Sequence, residues 1–313
     1  MKNIFVLIPN ENWIVDRIGN EFCHNSRHIA RMNPFDCDII WLAAPWCWKN
    51  ISWNILRNKK VVCSIHHEVP EKFIRDRMSD FLERDEIVDH YIVPCQQTYD
   101  FISKYTDRPI TKIGYWWNSD LWYSSTKDDV VKYRDEFGLK HDEYVIGSFQ
   151  RDTEGSDLVT PKLEKGPDIL CDYIKMLSDL NEKKIHVLLG GWRRQYVVNR
   201  LIKDKIKFTY SELPSLEQIR KMYSACDLYV STSRYEGGPQ CLFEATAVGT
   251  NIIASNVGMA SECLHNYSIV SDFYCENSYK VFTEVHNCVS MKKIEILELK
   301  NHIKKYDDLF EVI

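Results

Sequence analysis

Short apolar runs alternate with longer amphipathic stretches along most of this chain, and that alternation limits its fold more than any other feature. Apolar runs at residues 4–8, 39–42, 60–65, 90–93, 144–149, 185–189, 207–210, 228–231 and 251–254 have strand length. Helical patterns at 73–83, 99–104, 167–180 and 216–225 fall between several of them. Strand and helix in alternation predict an α/β chain with parallel sheets covered on both faces. Ligands of such sheets bind at the carboxyl ends of the strands. With 313 residues there is room for two domains. The stretch 127–142 is highly charged and lacks strand character, and a second alternating series begins at residue 144. The boundary is therefore expected near residue 140, giving domains 1–140 and 141–313. The tail 292–310 reads as one or two helices.

Composition narrows the partners. Hydrophobic content of 44% and charged content of 27% suit a soluble globular protein. A net charge of −5, with no basic arm, predicts no general nucleic-acid affinity. No run approaches the ~20 apolar residues that span a bilayer, so no transmembrane segment is expected. The start, Met1 to Pro9, is too short for a signal-peptide core and reads as a buried strand. Eleven cysteines, without a Cys-x-x-Cys pair, sit mostly in apolar contexts. They predict a reduced, cytoplasmic protein without disulfides. The ten histidines show no metal-ligand spacing.

The chemistry concentrates at residues 236–244, Glu-Gly-Gly-Pro-Gln-Cys-Leu-Phe-Glu. The apolar run 228–231 precedes this stretch and the run 251–254 follows it, so the order is strand, glycine turn, helix, strand. Pro239 suits the first helical position and Gly249 the helix stop. A helix N-terminus beside a glycine turn presents free N–H groups and partial positive charge, which suits a phosphate. Glu236 lies in the turn, and Glu244 about one and a half turns inside the helix. One carboxylate can face each end of a phosphate-containing ligand.

This constellation closely resembles the nucleotide-sugar signature of the retaining family 4 glycosyltransferases, which have the GT-B fold of two Rossmann-like domains with parallel sheets facing a cleft. The resemblance is strongest over residues 144 to 264. It implies that Glu236 lies against the transferred sugar, that Glu244 holds the ribose hydroxyls, and that backbone groups around Gly237, Gly238 and Gln240 face the sugar and diphosphate. Pro239 stands where that family commonly has glycine, and it offers no donor. In that fold the last helix often crosses back to the first domain.

Other residues follow the same resemblance. Arg151 after the run 144–149, and Lys165 in Lys165-Gly166-Pro167-Asp168, match the family's arginine and lysine and suit a diphosphate clamp. The loop between them is longer than usual, and Lys162 competes for the lysine role. His66 matches a family histidine at a strand end, placed to hydrogen-bond a sugar hydroxyl; His67 stands where an aspartate is usual. The loop at 10–19 has only Gly19 where the family has a glycine-rich turn. Residues 116–120, Trp-Trp-Asn-Ser-Asp, read as the interdomain connection. Eight of the nine tryptophans precede residue 123. Trp46, Trp48 and Trp53 offer an acceptor platform, though core packing is the preferred reading. Asp36-Cys37-Asp38 looks like a metal-binding Asp-x-Asp but reads better as strand entry. Arg193 and Arg194, after Gly190-Gly191-Trp192, read as surface charge.

The expectation is a metal-independent hexosyltransferase without cofactor, moving a hexose from a GDP-mannose or UDP-sugar type donor to a glycan, glycoconjugate or lipid-linked acceptor. Glu236 and His66 are its catalytic candidates. Arg151, Lys165, Gly237, Gly238, Gln240 and Glu244 are its donor-binding candidates. A sugar-nucleotide epimerase, a phosphorylase and a non-catalytic nucleotide-sugar or glycan binder are the alternatives. A homodimer and a peripheral place at the membrane stay open.

Overall fold

The computed structural model describes residues 1–155, 157–180, 183–285 and 294–313. The chain divides into two compact units, one of Met1–Trp116 with Glu295–Ile313, the other of Trp117–Ile294. The division falls within the 116–120 stretch, not near residue 140. The charged stretch misled because its charges sit on a helix, Lys127–Glu136, that belongs to the second unit. Arg134 on that helix reaches Asp227 (2.7 Å) and the Ala225 carbonyl (3.1 Å).

The first unit holds strands β1 (Asn3–Leu7), β2 (Ile29–Ala30), β3 (Ile39–Leu42), β4 (Lys60–Ser64), β5 (His90–Val93) and β6 (Ile110–Lys112). They form one sheet in the order β2-β1-β3-β4-β5-β6, with every pair parallel. All four residues of β3 are buried, as expected for a strand covered on both faces. The helix Leu299–Val312 belongs to this unit. Its Tyr306 and Phe310 pack on buried Trp41 at 5.3 and 5.6 Å, and Phe310 packs on Phe22 at 5.3 Å. His302 on the same helix donates to the Gly114 carbonyl (2.8 Å). Of the tail expected at 292–310, residues 292 and 293 lie outside the described residues.

The second unit holds β7 (Glu143–Ser148), β8 (Lys184–Gly190), β9 (Lys207–Ser211), β10 (Leu228–Ser231), β11 (Asn251–Ser255) and β12 (Ile269–Val270). Their order is β12-β11-β10-β7-β8-β9, again all parallel. The order in which successive strands are laid across this sheet reverses between β7 and β10; in the first unit it reverses between β1 and β3. Such reversals open the crevice where ligands of parallel sheets bind. The sequence pattern missed β2, β6 and β12. Each is an edge strand of two or three residues, too short to print an apolar run; both residues of β2 are exposed. Among the described residues, no helix is long and apolar enough to cross a membrane.

Candidate functional site

The β7–β10 crevice of the second unit gathers most of the sequence-predicted residues. The turn from β10 carries Glu236, Gly237 and Gly238 into the helix Gln240–Val248. Pro239 is the capping residue, with φ −64° and ψ 112°, one position earlier than expected, and Gln240 opens the helix. Gly249 ends it in the left-handed conformation, φ 90°. Glu244 lies one turn inside, buried, and accepts a bond from the Tyr223 hydroxyl (3.1 Å) on the helix Leu216–Ala225. Burial, and then the Glu244 charge, push the Tyr223 hydroxyl well above its ordinary pKa, so it stays a donor.

The Lys165 ammonium contacts the Glu236 carboxylate directly. Lys162 lies nearby, 3.5 Å from Glu164. Burial lowers the Lys162 pKa; Glu164 opposes that, while Lys165 and Arg151 lower it further. Arg151, Lys162 and Lys165 thus form one cationic cluster at the mouth of β7. Arg151 donates Nε to the Thr153 carbonyl (2.8 Å), and its guanidinium lies 5.6 Å from the Trp192 ring centre. Cys241 sits among these charges: burial pushes its thiol up to about 12, Glu244 and Glu236 add to that, and Tyr229 and Lys165 oppose it. It is a neutral packing residue rather than a nucleophile.

Residues that the sequence did not single out hold this arrangement. Arg234 forks onto Asp168 at 2.7 and 2.6 Å, and its Nη1 also reaches the Leu163 carbonyl (2.9 Å). The backbone N–H groups of Arg234 and Tyr235 both bond the Glu164 carbonyl. Gln150 donates to the Lys165 carbonyl (2.9 Å) and accepts from Ser233 (3.4 Å). Gly166, at φ +62°, lies so close to β10 that a Cβ would collide with the Thr232 carbonyl oxygen. Gly258 does the same for the other side of the turn, where a Cβ would strike the Glu236 and Gly237 carbonyls. The lysine loop and the glutamate turn are therefore one mechanical piece. Nothing in the spacing marks Arg234 as its clamp, because its partners lie some 66 to 71 positions away.

The long loop between Arg151 and Lys165 folds on itself. Thr153 pairs with Pro161 in an antiparallel bridge, and Lys162 N bonds the Asp152 carbonyl (2.8 Å). Arg194 is not surface charge. It is fully buried, paired with Asp152 (2.8 Å), and donates to Ser148 and Gly190 at the ends of β7 and β8. Burial raises the Asp152 pKa and Arg194 pulls it back, so the pair braces the strand ends and leaves no charge for a ligand.

In the first unit, both ring nitrogens of His66 are engaged. Nε2 donates to the Ala43 carbonyl (2.8 Å), which leaves Nδ1 to accept from the Tyr115 hydroxyl (2.5 Å). Burial lowers its pKa to about 4, so it is neutral at pH 7. That geometry fixes the loop after β3 and makes His66 a positioning residue there. Asp38 accepts the Asn3 N–H (2.8 Å) and side chain (3.0 Å), a strand-entry role that agrees with the sequence reading of 36–38. Of the three clustered tryptophans, Trp48 is buried and packs on Trp53, while Trp46 is 38% exposed.

Residues 161–282 match the model for glycosyl transferases group 1. The whole chain superposes on the whole of HepE from Anabaena, crystallised in complex with UDP and glucose, with a TM-score of 0.76 at 13% identity. Sucrose-phosphate synthase from Thermosynechococcus elongatus follows at 0.69 and 15%, over 97% of this chain and 80% of that one. A glycosyltransferase from Rickettsia africae aligns at 0.68 and 15%, over 99% and 97%. These likenesses show a GT-B-like two-domain fold, as the sequence predicts. The chain matches none of the curated protein sequences it was compared with.

Proposed function

We propose that this chain is a retaining glycosyltransferase that moves a hexose from a nucleoside-diphosphate sugar to an acceptor hydroxyl, without a metal ion. The observation that carries this reading is the Lys165–Glu236 contact beside Arg151 and Lys162, in the β7–β10 crevice. Negative charge grows on the diphosphate as the sugar leaves, and prepositioned cations stabilise that charge without reorganising. Three cations in one place supply what a divalent ion would otherwise bring. Glu236 lies against the sugar and steadies positive charge at its anomeric carbon. Glu244, held by Tyr223, anchors the ribose. Retention rests on the resemblance of the 236–244 turn to family 4. The family match over 161–282 covers the turn, Lys162 and Lys165. A UDP-sugar is the favoured donor, because HepE was crystallised with UDP, with UDP and glucose, and with UDP-glucose.

Calorimetric titration with UDP-glucose, UDP-N-acetylglucosamine, GDP-mannose and ADP-glucose, without added metal, tests the reading. One donor is expected to bind, more weakly in Arg151→Ala and in Glu244→Ala. If all four fail to bind, with or without magnesium, the reading is overturned.

A further inference from the structure

The first unit has a crevice of its own, at the β1/β3 reversal, and its chemistry is the opposite of the cationic one. The loop after β1 could offer backbone N–H groups to an anion, but Asp16 already takes them. Its buried carboxylate accepts from Asn10 N (2.8 Å), Glu11 N (2.7 Å) and Trp13 N (3.3 Å). Asn10 and Asn12 adopt left-handed conformations, φ 57° and 56°, to wrap the loop around it. The loop after β3 is pinned as firmly, by His66 on the Ala43 carbonyl and by buried Arg84 on the Pro45 carbonyl (3.1 Å). The two loops present Trp13 and Trp46, stacked at 6.0 Å and 21°. They remain 44% and 38% exposed. Asn10, Glu11 and Asn12 around them are exposed as well.

We propose that Trp13 and Trp46 form a platform for an uncharged pyranose ring, so that the acceptor class is a glycan or glycoside. The inference rests on the glycosyl-transfer reading for the word acceptor. The recognition chemistry stands on this unit alone. An indole pair offers a rigid apolar face at low entropic cost. The exposed Asn and Glu side chains suit hydroxyl groups at its rim. The Asp16 carboxylate and exposed Glu11 disfavour a phosphate or carboxylate ligand at the same place.

Saturation-transfer NMR on the full chain, with the methyl glycosides of glucose, galactose and mannose as probes, tests the proposal; UDP binding is measured in parallel. Transfer to at least one glycoside is expected. Affinity should fall roughly tenfold in Trp13→Ala and in Trp46→Ala, the scale of one aromatic contact. Trp46→Leu keeps apolar bulk without the indole face and should also lose binding, which guards against a folding defect. Lys165→Ala should weaken UDP and leave the glycoside untouched. Absence of transfer to all three probes, or transfer unchanged in the tryptophan variants, or transfer lost in Lys165→Ala, overturns the platform. Glycoside binding that depends on both tryptophans, with no UDP binding, would leave the platform standing and remove the transferase reading.

Discussion

The two units share a parallel six-stranded sheet and differ in what their strand ends do with charge. In the second unit, Arg151, Lys162 and Lys165 crowd one crevice, and Lys162 carries its charge against burial and two neighbouring cations, with Glu164 in support. In the first, the groups at the equivalent edge answer one another: Asp16 fills its own loop, and His66 spends both nitrogens. A fold does not name its ligand. The contrast lies in the sign of the charge gathered at the strand ends, which differs between two parallel six-stranded sheets.

The largest effect that could break this contrast is on turnover. Lys165→Ala should lower kcat by about 10²- to 10³-fold, the scale of losing one prepositioned electrostatic contact, while His66→Gln should lower it far less. Steady-state rates with the donor found by calorimetry check this, and equal losses would erase the distinction between a charged and a committed crevice. The next effect is on stability against pH. His66 and His302 are each held at about 4 by burial, and both lie in the first unit. The unfolded chain therefore takes up their protons first. Stability is full above about pH 6.5 and falls as pH drops towards 4, by up to about 3 kcal/mol per histidine. Hydrogen exchange at pH 7 and pH 5 should show the strands β3 and β4 losing more protection than β7 and β10. Unchanged relative protection would mean the histidines are not buried neutral in solution. Glu244→Ala comes third: donor affinity should weaken about tenfold with kcat little altered, read by calorimetry beside rates. Smallest is Arg234→Lys, which keeps the charge but loses the fork onto Asp168. A stability loss of about 1 kcal/mol in urea unfolding, accompanied by a drop in kcat, is expected; unchanged kcat would show that the clamp does not position Lys165.

The sequence made the second unit's candidate site legible because its parts are local. Glu236 to Glu244 is one continuous turn and helix, Arg151 comes just after an apolar run, and Lys165 directly precedes a glycine. The other nine strands were equally plain: most are buried on both faces and print an apolar run, and the edge strand β9 is long enough to show its pattern. What escaped was whatever depends on distant pairing. Arg194 reads as one of two surface arginines until Asp152 is brought to it. The helix Lys127–Glu136 reads as linker because its charges find partners near residue 227. Trp13 and Trp46 carry no sign in sequence that they meet. The boundary near 140 failed for the same reason, while the tryptophans at 116–120 marked the true division.

The self-paired hairpin between Arg151 and Lys165 has a practical consequence. Its base is sealed by the Thr153–Pro161 bridge, the Lys162–Asp152 bond and the buried Arg194, which hold the two arms together beside the two cations that flank the loop. Extra residues beyond that seal should lengthen the loop without pulling Lys165 out of line. That makes the stretch beyond the seal a natural graft point, where a short peptide epitope or a reporter label could be carried close to the two cations.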